Sequence, residues 1–245
     1  MKCTKCGEKW TAPSGKSFKF CPNCANPMPM SAVNSSDNEC KKPLKLTVGG
    51  LFKFGGYDWR VLEVQGGKAL LLSENVLEKR EYHKDYVDIT WENSTLCSYL
   101  NNQFYNKFSN EEKTLIAETR VINTKNLWYG TKGGNYTTDK IFLLSIEEVV
   151  KYFGDSGDLK NRKGWYFEGG KDVLKDGKGY YINDQYNNAR IAKDVAGEAC
   201  WFWLRSPGYN STNAAPVYND GTVTVNGFYV LNESGGVRPA LWVNL

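Results

Sequence analysis

The hydrophobic positions of this chain alternate between the two-residue period of strands and the longer period of helices. Two strand-like runs, YDWRVLEVQ and KALLLS, are joined by Gly66 and Gly67, and this arrangement predicts a β-hairpin. Four more strand-like runs follow near the end of the chain: CWFWLRS, APVYN, TVTVNGFYVL and VRPALWVN. The segment 154–188 shows neither period and is rich in Gly, Asp, Lys, Asn and Tyr, so we expect an irregular surface insertion there.

Three stretches between these strands carry helical signals. In NSTLCSYLNNQFYNKF an apolar residue recurs at every fourth position, and Asn93 or Ser94 precedes the run as an N-cap. SNEEKTLIAETRVI predicts a second helix that is capped by Ser109. DKIFLLSIEEVVKYF predicts a short strand and then a helix that is capped by Ser145. Each of the last two has two glutamates in its first turn, where they complement the partial positive charge of a helix N-terminus.

Composition places this pattern in the α+β class. The chain has 245 residues, of which 41% are hydrophobic and 14% aromatic, and this is enough for one sizeable core. Residues 28–43, MPMSAVNSSDNECKKP, mix Pro, Ser, Asn and charge without apolar periodicity, which is typical of a linker. We therefore expect a small unit at 1–27 and a mixed α+β domain at 44–245.

Charge and hydropathy exclude some classes of partner. The formal net charge is +4, but residues 1–45 hold eight lysines against three acids, so the excess lies there. The main domain is close to neutral and has no general attraction for nucleic acid. No apolar stretch is long enough to cross a membrane, and the first residues lack the apolar segment of a secretory signal. The expected location is the cytoplasm, without membrane partners.

The strongest chemical signal lies in the first unit. CTKC and CPNC supply two Cys-Xaa-Xaa-Cys pairs with 14 residues between them. Each pair forms a tight turn that directs two sulfurs at one point, so a returning chain brings four thiolates around one zinc ion. We predict a structural zinc site with the ligands Cys3, Cys6, Cys21 and Cys24, in a zinc ribbon that serves as a docking module. Its lysines and aromatic residues leave nucleic acid open as a less favoured partner.

Residues typical of catalysis are sparse in the main domain. The one histidine of the chain, His83, stands among charges in REYHKDY and is expected at the surface. Cys97 and Cys200 have apolar neighbours, so we expect buried small side chains rather than reactive thiols. No motif of a hydrolase nucleophile, a zinc protease or a dinucleotide site is present. The sequence therefore predicts no catalytic residue.

From Leu44 onward the chain resembles a bacterial family of unknown function, domain of unknown function 6273. The resemblance rests on four segments in this order: WENSTLCSYLNNQFYNKFSNEEKTLI, FLLSIEEV, WLRSPG and GVRPALWVNL. The C-terminal part is also similar to the C-type-lectin-like fold, in the branch that includes formylglycine-generating enzymes. That similarity implies a compact mixed domain whose final strand pairs back into the core. We expect Trp203 and Leu204 in this core and Arg205 and Arg238 bonded to nearby carbonyls or carboxylates.

Between Arg205 and Arg238 the chain is rich in Tyr, Asn, Ser and Gly. Such a composition suits an adaptable binding face, because Tyr offers contact area at low entropic cost and small polar groups offer hydrogen bonds. An ordinary turn-rich β surface has a similar composition. The predicted ligand-binding residues are Tyr209, Asn210, Ser211, Asn213, Tyr218, Asn219, Asp220, Asn226, Phe228 and Tyr229. The amino-acid composition of this segment also resembles that produced by diversity-generating retroelements. These systems vary adenine-containing codons and are known to target lectin-like domains.

These observations favour a non-catalytic binding protein whose lectin-like face, at about residues 201–235, contacts a protein or a glycan. An enzyme of the formylglycine-generating type is one alternative, and it requires Cys97 and Cys200 within metal-bridging reach of each other. A nucleic-acid-binding regulator that acts through the zinc ribbon is a second alternative. Zinc, in a structural role, is the one cofactor that we expect.

Overall fold

The computed structural model of the protein describes residues 46–169, 171–176 and 180–245. The predicted zinc ribbon at 1–27, with its four cysteine ligands, and the predicted linker at 28–43 lie outside the described residues. The described residues form a mixed α+β domain with mostly antiparallel sheets and few, short helices, so the predicted α+β class is confirmed.

The strands of the described domain are β1 (Leu51–Phe54), β2 (Tyr57–Gln65), β3 (Lys68–Ser73), β4 (Glu78–Lys79), β5 (Ile116–Ala117), β6 (Thr119–Val121), β7 (Thr137–Asp139), β8 (Lys163–Glu168), β9 (Lys171–Asp176), β10 (Tyr181–Ile182), β11 (Ala192–Lys193), β12 (Ala199–Cys200), β13 (Phe202–Pro207), β14 (Asn213–Val217), β15 (Val223–Thr224), β16 (Phe228–Tyr229), β17 (Gly236–Val237) and β18 (Ala240–Asn244). Its α-helices are α1 (Thr95–Tyr99), α2 (Asn110–Leu115), α3 (Ile146–Phe153), α4 (Asp158–Asn161) and α5 (Asn187–Arg190). A 3-10 turn (Trp91–Asn93) precedes α1, and a π-helical stretch (Leu100–Phe104) and a second 3-10 turn (Tyr105–Lys107) follow it.

The smaller of the two main sheets has five strands in the order β1-β2-β3-β18-β5. Gly66 and Gly67 have φ values of 56° and 73°, which is the conformation that a two-residue hairpin turn requires at both positions, and the predicted hairpin is confirmed. The final strand, β18, lies between β3 and β5, with Leu241 opposite Leu71. The C-terminus of the chain is therefore an interior strand of this sheet.

The larger sheet has the order β4-β17-β13-β14-β15-β10-β8-β9, with β16 paired to β14. The four strand-like runs predicted near the end of the chain form the strands β12 to β18. Of these, β13 to β17 belong to the larger sheet, β12 pairs with β11, and β18 belongs to the smaller sheet. The expectation of an irregular insertion at 154–188 is wrong for most of that segment, because β8, β9 and β10 extend the sheet beyond β15. The strand signal was hidden because the outermost strand, β9, has the sequence KDVLKD, in which charged pairs flank two apolar residues and no strand period is visible; charges of this kind protect a sheet edge from pairing with other chains.

Serine residues begin three of the helices, as the sequence predicts. Ser94 accepts a hydrogen bond from the first turn of α1, and Ser109 and Ser145 each form a capping box with the glutamate three positions later. The predicted second helix is shorter than its pattern, since the residues after Leu115 pair as β5 with the final strand. Sheet pairing thus overrides local helical periodicity there. Within the described part of the chain, no helix is both long and apolar enough to cross a bilayer.

Two buried arginines tie the elements together, and both act as scaffold in the way that the sequence predicts. Arg205 on β13 forms a two-pronged ion pair with Glu148 on α3 and also donates to the carbonyl of Leu143 at 2.6 Å. Arg238 donates to the carbonyl of Ser73 at 3.0 Å, and burial lowers the pKa of its guanidinium to about 10. Trp203 and Leu204, next to Arg205, are fully buried, which confirms the prediction that they belong to the core.

Candidate functional site: a tyrosine-lined cavity

A cavity of about 480 Å³ opens beside β10 and β15 on the larger sheet. Its volume falls within the range of sites that bind small ligands. The lining combines aromatic rings with small polar groups. It consists of Tyr180, Tyr181, Asn183, Tyr218, Asp220, Thr222, Thr224 and Asn226, and we call this set the tyrosine cavity.

Strand pairing brings the lining together from two distant parts of the chain. β10 pairs with β15 in antiparallel register, which places Tyr181 opposite Thr224. The carbonyl of Tyr180 accepts hydrogen bonds from the backbone N–H groups of Val225 at 2.7 Å and Asn226 at 3.1 Å. The 180–183 side of the cavity is thereby fixed to the 222–226 side by backbone hydrogen bonds.

A tight turn between β14 and β15 positions Tyr218 and Asp220. The backbone N–H of Tyr218 donates to the carbonyl of Thr222 at 2.8 Å, and one carboxylate oxygen of Asp220 accepts from the N–H and the hydroxyl of Thr222. Gly221 has a φ of 84°, and a Cβ at this position would lie 1.9 Å from the carbonyl oxygen of Asn187. Only glycine fits at position 221, so the turn has one backbone conformation, and this conformation sets the position of the Asp220 carboxylate.

A row of aromatic rings supports Tyr218 from the core. Trp203 is fully buried, and Trp201 packs on it edge to face with a centroid distance of 4.8 Å. Phe228 packs on Trp201 at 5.2 Å, and Tyr218 packs on Phe228 at 5.5 Å. Each contact has the perpendicular geometry that aromatic quadrupoles favour. The row holds the ring of Tyr218 in one orientation at the cavity wall.

Other tyrosines flank the opposite side of the cavity. Tyr166 packs edge to face on Tyr180 at 5.9 Å, and Tyr129 packs in the same manner on Tyr209 at 6.3 Å. Burial raises the pKa of Tyr129, and the nearby Tyr180 adds to this effect, so the two pairs of rings are neighbours. These tyrosines offer ring faces and hydroxyl groups.

The polar groups of the lining give it a negative character. Asp220 is the one charged residue among the lining residues that the structure describes, and no lysine or arginine is present in that set. Its second carboxylate oxygen has no hydrogen-bond partner among the described residues. The side-chain oxygen of Asn226 is buried and also lacks a partner there. Buried polar atoms are normally hydrogen-bonded, so this oxygen is an acceptor in need of a donor.

Three of the ten predicted ligand-binding residues, Tyr218, Asp220 and Asn226, line the tyrosine cavity. Asn219 is exposed in the same turn. Tyr209 is held at its edge, since its backbone N–H donates to the carbonyl of Asn226 at 2.9 Å. Phe228 supports the wall from behind rather than lining it.

The other four predicted residues lie elsewhere. Tyr229 is exposed and packs edge to face on Tyr86 at 5.3 Å. Ser211 lines a separate cavity of about 410 Å³, and the side chain of Asn210 bonds within its own turn. Asn213 is only 5% exposed in β14, so the expectation of an exposed side chain is wrong for this residue. The strand turns its side chain inward, and no local pattern marks that direction.

Sequence reasoning missed the 180–183 side of the cavity. Tyr180, Tyr181 and Asn183 belong to the segment that was expected to be irregular. Their run, YYIN, has the same mixture of Tyr and Asn as the predicted face and was a usable signal. Its position beside β15 depends on pairing between residues far apart in sequence, which composition does not reveal.

The histidine and the two cysteines of the domain occupy structural positions. His83 is only 8% exposed, and its Nδ1 accepts the backbone N–H of Thr95 at 3.2 Å, so the predicted surface position is wrong. Cys97 and Cys200 are free and buried, as predicted. Burial raises the pKa of the Cys97 thiol to about 12, and Asp139 beside it contributes. Among the described residues, no three His, Cys, Asp or Glu side chains are arranged to hold a metal ion.

A second cavity, of about 420 Å³, lies between α3 and the five-stranded sheet and contains several ionisable groups. Glu63 accepts hydrogen bonds from Lys151 at 2.8 Å and from the hydroxyl of Tyr152 at 2.5 Å. The bond to Lys151 lowers the pKa of Glu63, and burial raises that of Tyr152 to about 12. At neutral pH the three groups are therefore a carboxylate, an ammonium and a phenol that satisfy one another, which does not tune any of them for proton transfer.

Comparison with known proteins adds a family but no activity. A family model described as a domain of unknown function, DUF6273, matches residues 66–245. No curated protein and no solved structure gives a significant match to the chain. The match begins at the turn between β2 and β3, so β1 and β2 precede it although they pair in the same sheet as β3.

Proposed function

The chain belongs to the DUF6273 family, whose description assigns no activity, and from the geometry of the site we propose that it is a non-catalytic recognition protein that binds a saccharide in the tyrosine cavity. The observation that carries this proposal is the convergence of the rings of Tyr180 and Tyr218 with the polar side chains of Asp220 and Asn226 around one space of about 480 Å³.

The chemistry of a sugar matches this lining. A sugar ring has apolar C–H faces, which pack against the electron-rich faces of aromatic rings, and a perimeter of hydroxyl groups. The hydroxyls need acceptors and donors at several angles, and carboxylate, amide and hydroxyl side chains supply them. Such sites commonly combine a mostly apolar wall with a few well-placed polar groups. The row of rings behind Tyr218 supports the proposal further, because a pre-oriented wall loses little entropy on binding.

The side chains that line the tyrosine cavity favour ligand binding without catalysis. Asp220, exposed in a turn, has no second carboxylate, histidine or lysine beside it among the described lining residues, so the usual pair for dividing acid and base roles is missing there. His83 is engaged with the backbone, and the thiol of Cys97 stays protonated at neutral pH. The formylglycine-generating alternative needs Cys97 and Cys200 to hold a metal together, and both are buried free thiols.

We further propose that the domain has the C-type-lectin-like fold. The support is the final strand, β18, which carries the chain end back between β3 and β5. Arg238, just before this strand, anchors it to the end of β3 through the carbonyl of Ser73. An experimentally determined structure whose strand order differed from that fold would remove this part of the proposal.

For residues 1–27 we propose a zinc ribbon with Cys3, Cys6, Cys21 and Cys24 as ligands, which docks the protein to a partner in the cytoplasm. Four thiolates close the coordination sphere, so the metal would be structural. Metal analysis of the full chain is expected to find one zinc ion per molecule. The same analysis of a Cys21→Ser, Cys24→Ser variant is expected to find none. Salt-dependent DNA or RNA binding that disappears in the same variant would favour the nucleic-acid alternative instead.

Saccharide binding is testable by glycan-array screening of the full chain, followed by calorimetry with the best glycan. Loss of one stacking ring in Tyr218→Ala is expected to weaken affinity by about tenfold. Tyr229→Ala removes a somewhat more exposed tyrosine outside the cavity and is expected to leave affinity unchanged. An array without a binder, or equal losses in the two variants, would contradict the proposal.

A protein partner is the second candidate, and the exposed pair of Tyr86 and Tyr229 favours it. Their rings pack at 5.3 Å, and the adjacent Val87 and Leu231 are also exposed. Aromatic residues concentrated on a surface are typical of interface centres. A partner captured by the wild-type chain is expected to be lost with Tyr229→Arg and kept with Tyr218→Ala. The reverse pattern would place the contact at the tyrosine cavity.

A further inference from the structure

We infer that the tyrosine cavity selects a ligand that carries an ammonium group, and that its preferred saccharide is an amino sugar rather than a neutral or an anionic one. This inference rests on the proposed function and specifies its ligand class. The juxtaposition that carries it is a carboxylate with a free oxygen, Asp220, among the rings of Tyr180, Tyr181 and Tyr218.

The charge of the lining sets the sign of the preference. Among the described lining residues Asp220 supplies a negative charge, and no lysine or arginine opposes it. A carboxylate or phosphate on the ligand would face this charge without a counter-ion from that set. An ammonium group would instead form an ion pair with the oxygen of Asp220 that the turn does not use.

The tyrosine rings also favour a positively charged ligand. An aromatic face attracts a cation through its quadrupole when the charge lies within about 6 Å of the ring centre. Tyr180 and Tyr218 come from opposite sides of the cavity, and each is held edge to face by a neighbouring ring, Tyr166 and Phe228 respectively. Both therefore present defined walls to a group between them. Several aromatic walls with one carboxylate are the arrangement that proteins use for ammonium ligands.

Two side-chain oxygen atoms of the lining lack a hydrogen-bond donor among the described residues. The side-chain oxygen of Asn226 accepts no hydrogen bond from the described residues, and neither does the second oxygen of Asp220. An ammonium group has three donors and no acceptor, whereas a sugar hydroxyl has one donor. A rotation of the Asn226 amide toward the cavity that this residue lines would give the ammonium a second partner.

The test is competition calorimetry of the full chain with glucosamine, glucose and glucuronic acid, which differ mainly in the charge on one ring. Glucosamine is expected to bind about tenfold more tightly than glucose, and glucuronic acid more weakly than both. The variant Asp220→Asn keeps the oxygen that accepts from Thr222, so the turn is preserved while the charge is removed. In this variant the ratio between glucosamine and glucose is expected to fall close to one.

Asp85→Asn is the matched control, because it removes the same charge from an exposed residue whose partner is the neighbouring Lys84. It is expected to keep the tenfold ratio. A ratio that persists in Asp220→Asn, or that is absent from the wild-type chain, would overturn the inference while leaving saccharide binding intact. If none of the sugars binds but methylammonium does, in a manner that depends on Tyr218 and Asp220, the ammonium site stands and the saccharide proposal fails. If no probe binds, both fail.

Discussion

The rings of Trp201 and Phe228 meet edge to face, with centroids 5.2 Å apart and planes at 90°. This contact is the middle step between the buried Trp203 and the cavity residue Tyr218. Phe228 was predicted to touch a ligand, and its place in the structure gives it a different role. The wall of the cavity is an extension of the hydrophobic core, and its geometry is therefore tied to the stability of that core.

Removing this support should weaken binding without removing a lining group. In Phe228→Ala the ring of Tyr218 loses its edge-to-face partner and gains rotational freedom, so affinity for the ligand is expected to fall by about threefold to tenfold. Leu231→Ala, which shortens an exposed apolar residue, is the control and should bind like the wild type. Calorimetry with the saccharide identified by screening measures both. Unchanged affinity in Phe228→Ala would show that Tyr218 is oriented by other contacts.

The ion pair between Arg205 and Glu148 should contribute strongly to stability. Arg205 is almost fully buried and pairs with both oxygens of Glu148, so Arg205→Met leaves a half-buried carboxylate without its partner. The free energy of unfolding in urea is expected to drop by about 3 kcal/mol. Lys53→Met breaks an exposed pair with Asp58 and should change it by less than about 0.5 kcal/mol. Similar losses in the two variants would contradict this reading of the scaffold.

The turn at Gly221 should tolerate no side chain. Gly221 and Gly56 have similar φ values, 84° and 79°, so a Cβ introduces comparable backbone strain at both, about 1 kcal/mol. At Gly221 the Cβ would also meet the carbonyl oxygen of Asn187 at 1.9 Å, whereas the space at Gly56 is open. Gly221→Ala is therefore expected to lower stability more than Gly56→Ala and to abolish ligand binding. Chemical denaturation and calorimetry on the two variants measure the difference.

Cys97 should resist alkylation in the native protein. Burial and the adjacent Asp139 raise the pKa of its thiol to about 12, so the reactive thiolate is nearly absent at pH 8. Mass spectrometry of iodoacetamide-treated protein is expected to show Cys97 unmodified under native conditions and modified in urea. The same shift makes stability fall as pH rises above about 9, because the unfolded thiol then ionises while the native one stays protonated up to about 12. Rapid native alkylation at pH 8 would contradict the burial of this thiol.

Genetic diversification of the C-terminal segment, if present, should follow exposure. Deep sequencing of the coding segment for residues 201–245 in a population of the source organism is expected to show substitutions at exposed positions such as Tyr209, Tyr218, Asn219 and Asp220. Asn213 and Trp203 are buried and should stay constant, although every asparagine codon carries two adenines. Variation at Asn213 as frequent as at Asn219, or a uniform segment, would remove the retroelement hypothesis.

The local features of the fold were predictable because neighbouring residues determine them. Ser109 and Ser145 start their helices through hydrogen bonds to residues three positions away. Gly66 and Gly67 close a hairpin because their backbones adopt positive φ without strain. The scaffold role of Arg205 and Arg238 also followed from the sequence, since a charged side chain within an apolar run must find carbonyls or a carboxylate as partners.

The site itself was decided by contacts between distant residues. The sequence marked Tyr218, Asp220 and Asn226 by composition, but the opposite wall comes from Tyr180, which reaches them only through the pairing of β10 with β15. Composition also could not separate exposed from buried members of a polar run, and Asn213 and His83 are both buried where exposure was expected. Sequence alone determines which residue types are available and where turns and caps can form, because these depend on short-range sterics and hydrogen bonds. The tertiary structure decides which of those residues face a common cavity, because strand pairing and the direction of each side chain arise from packing across the whole chain.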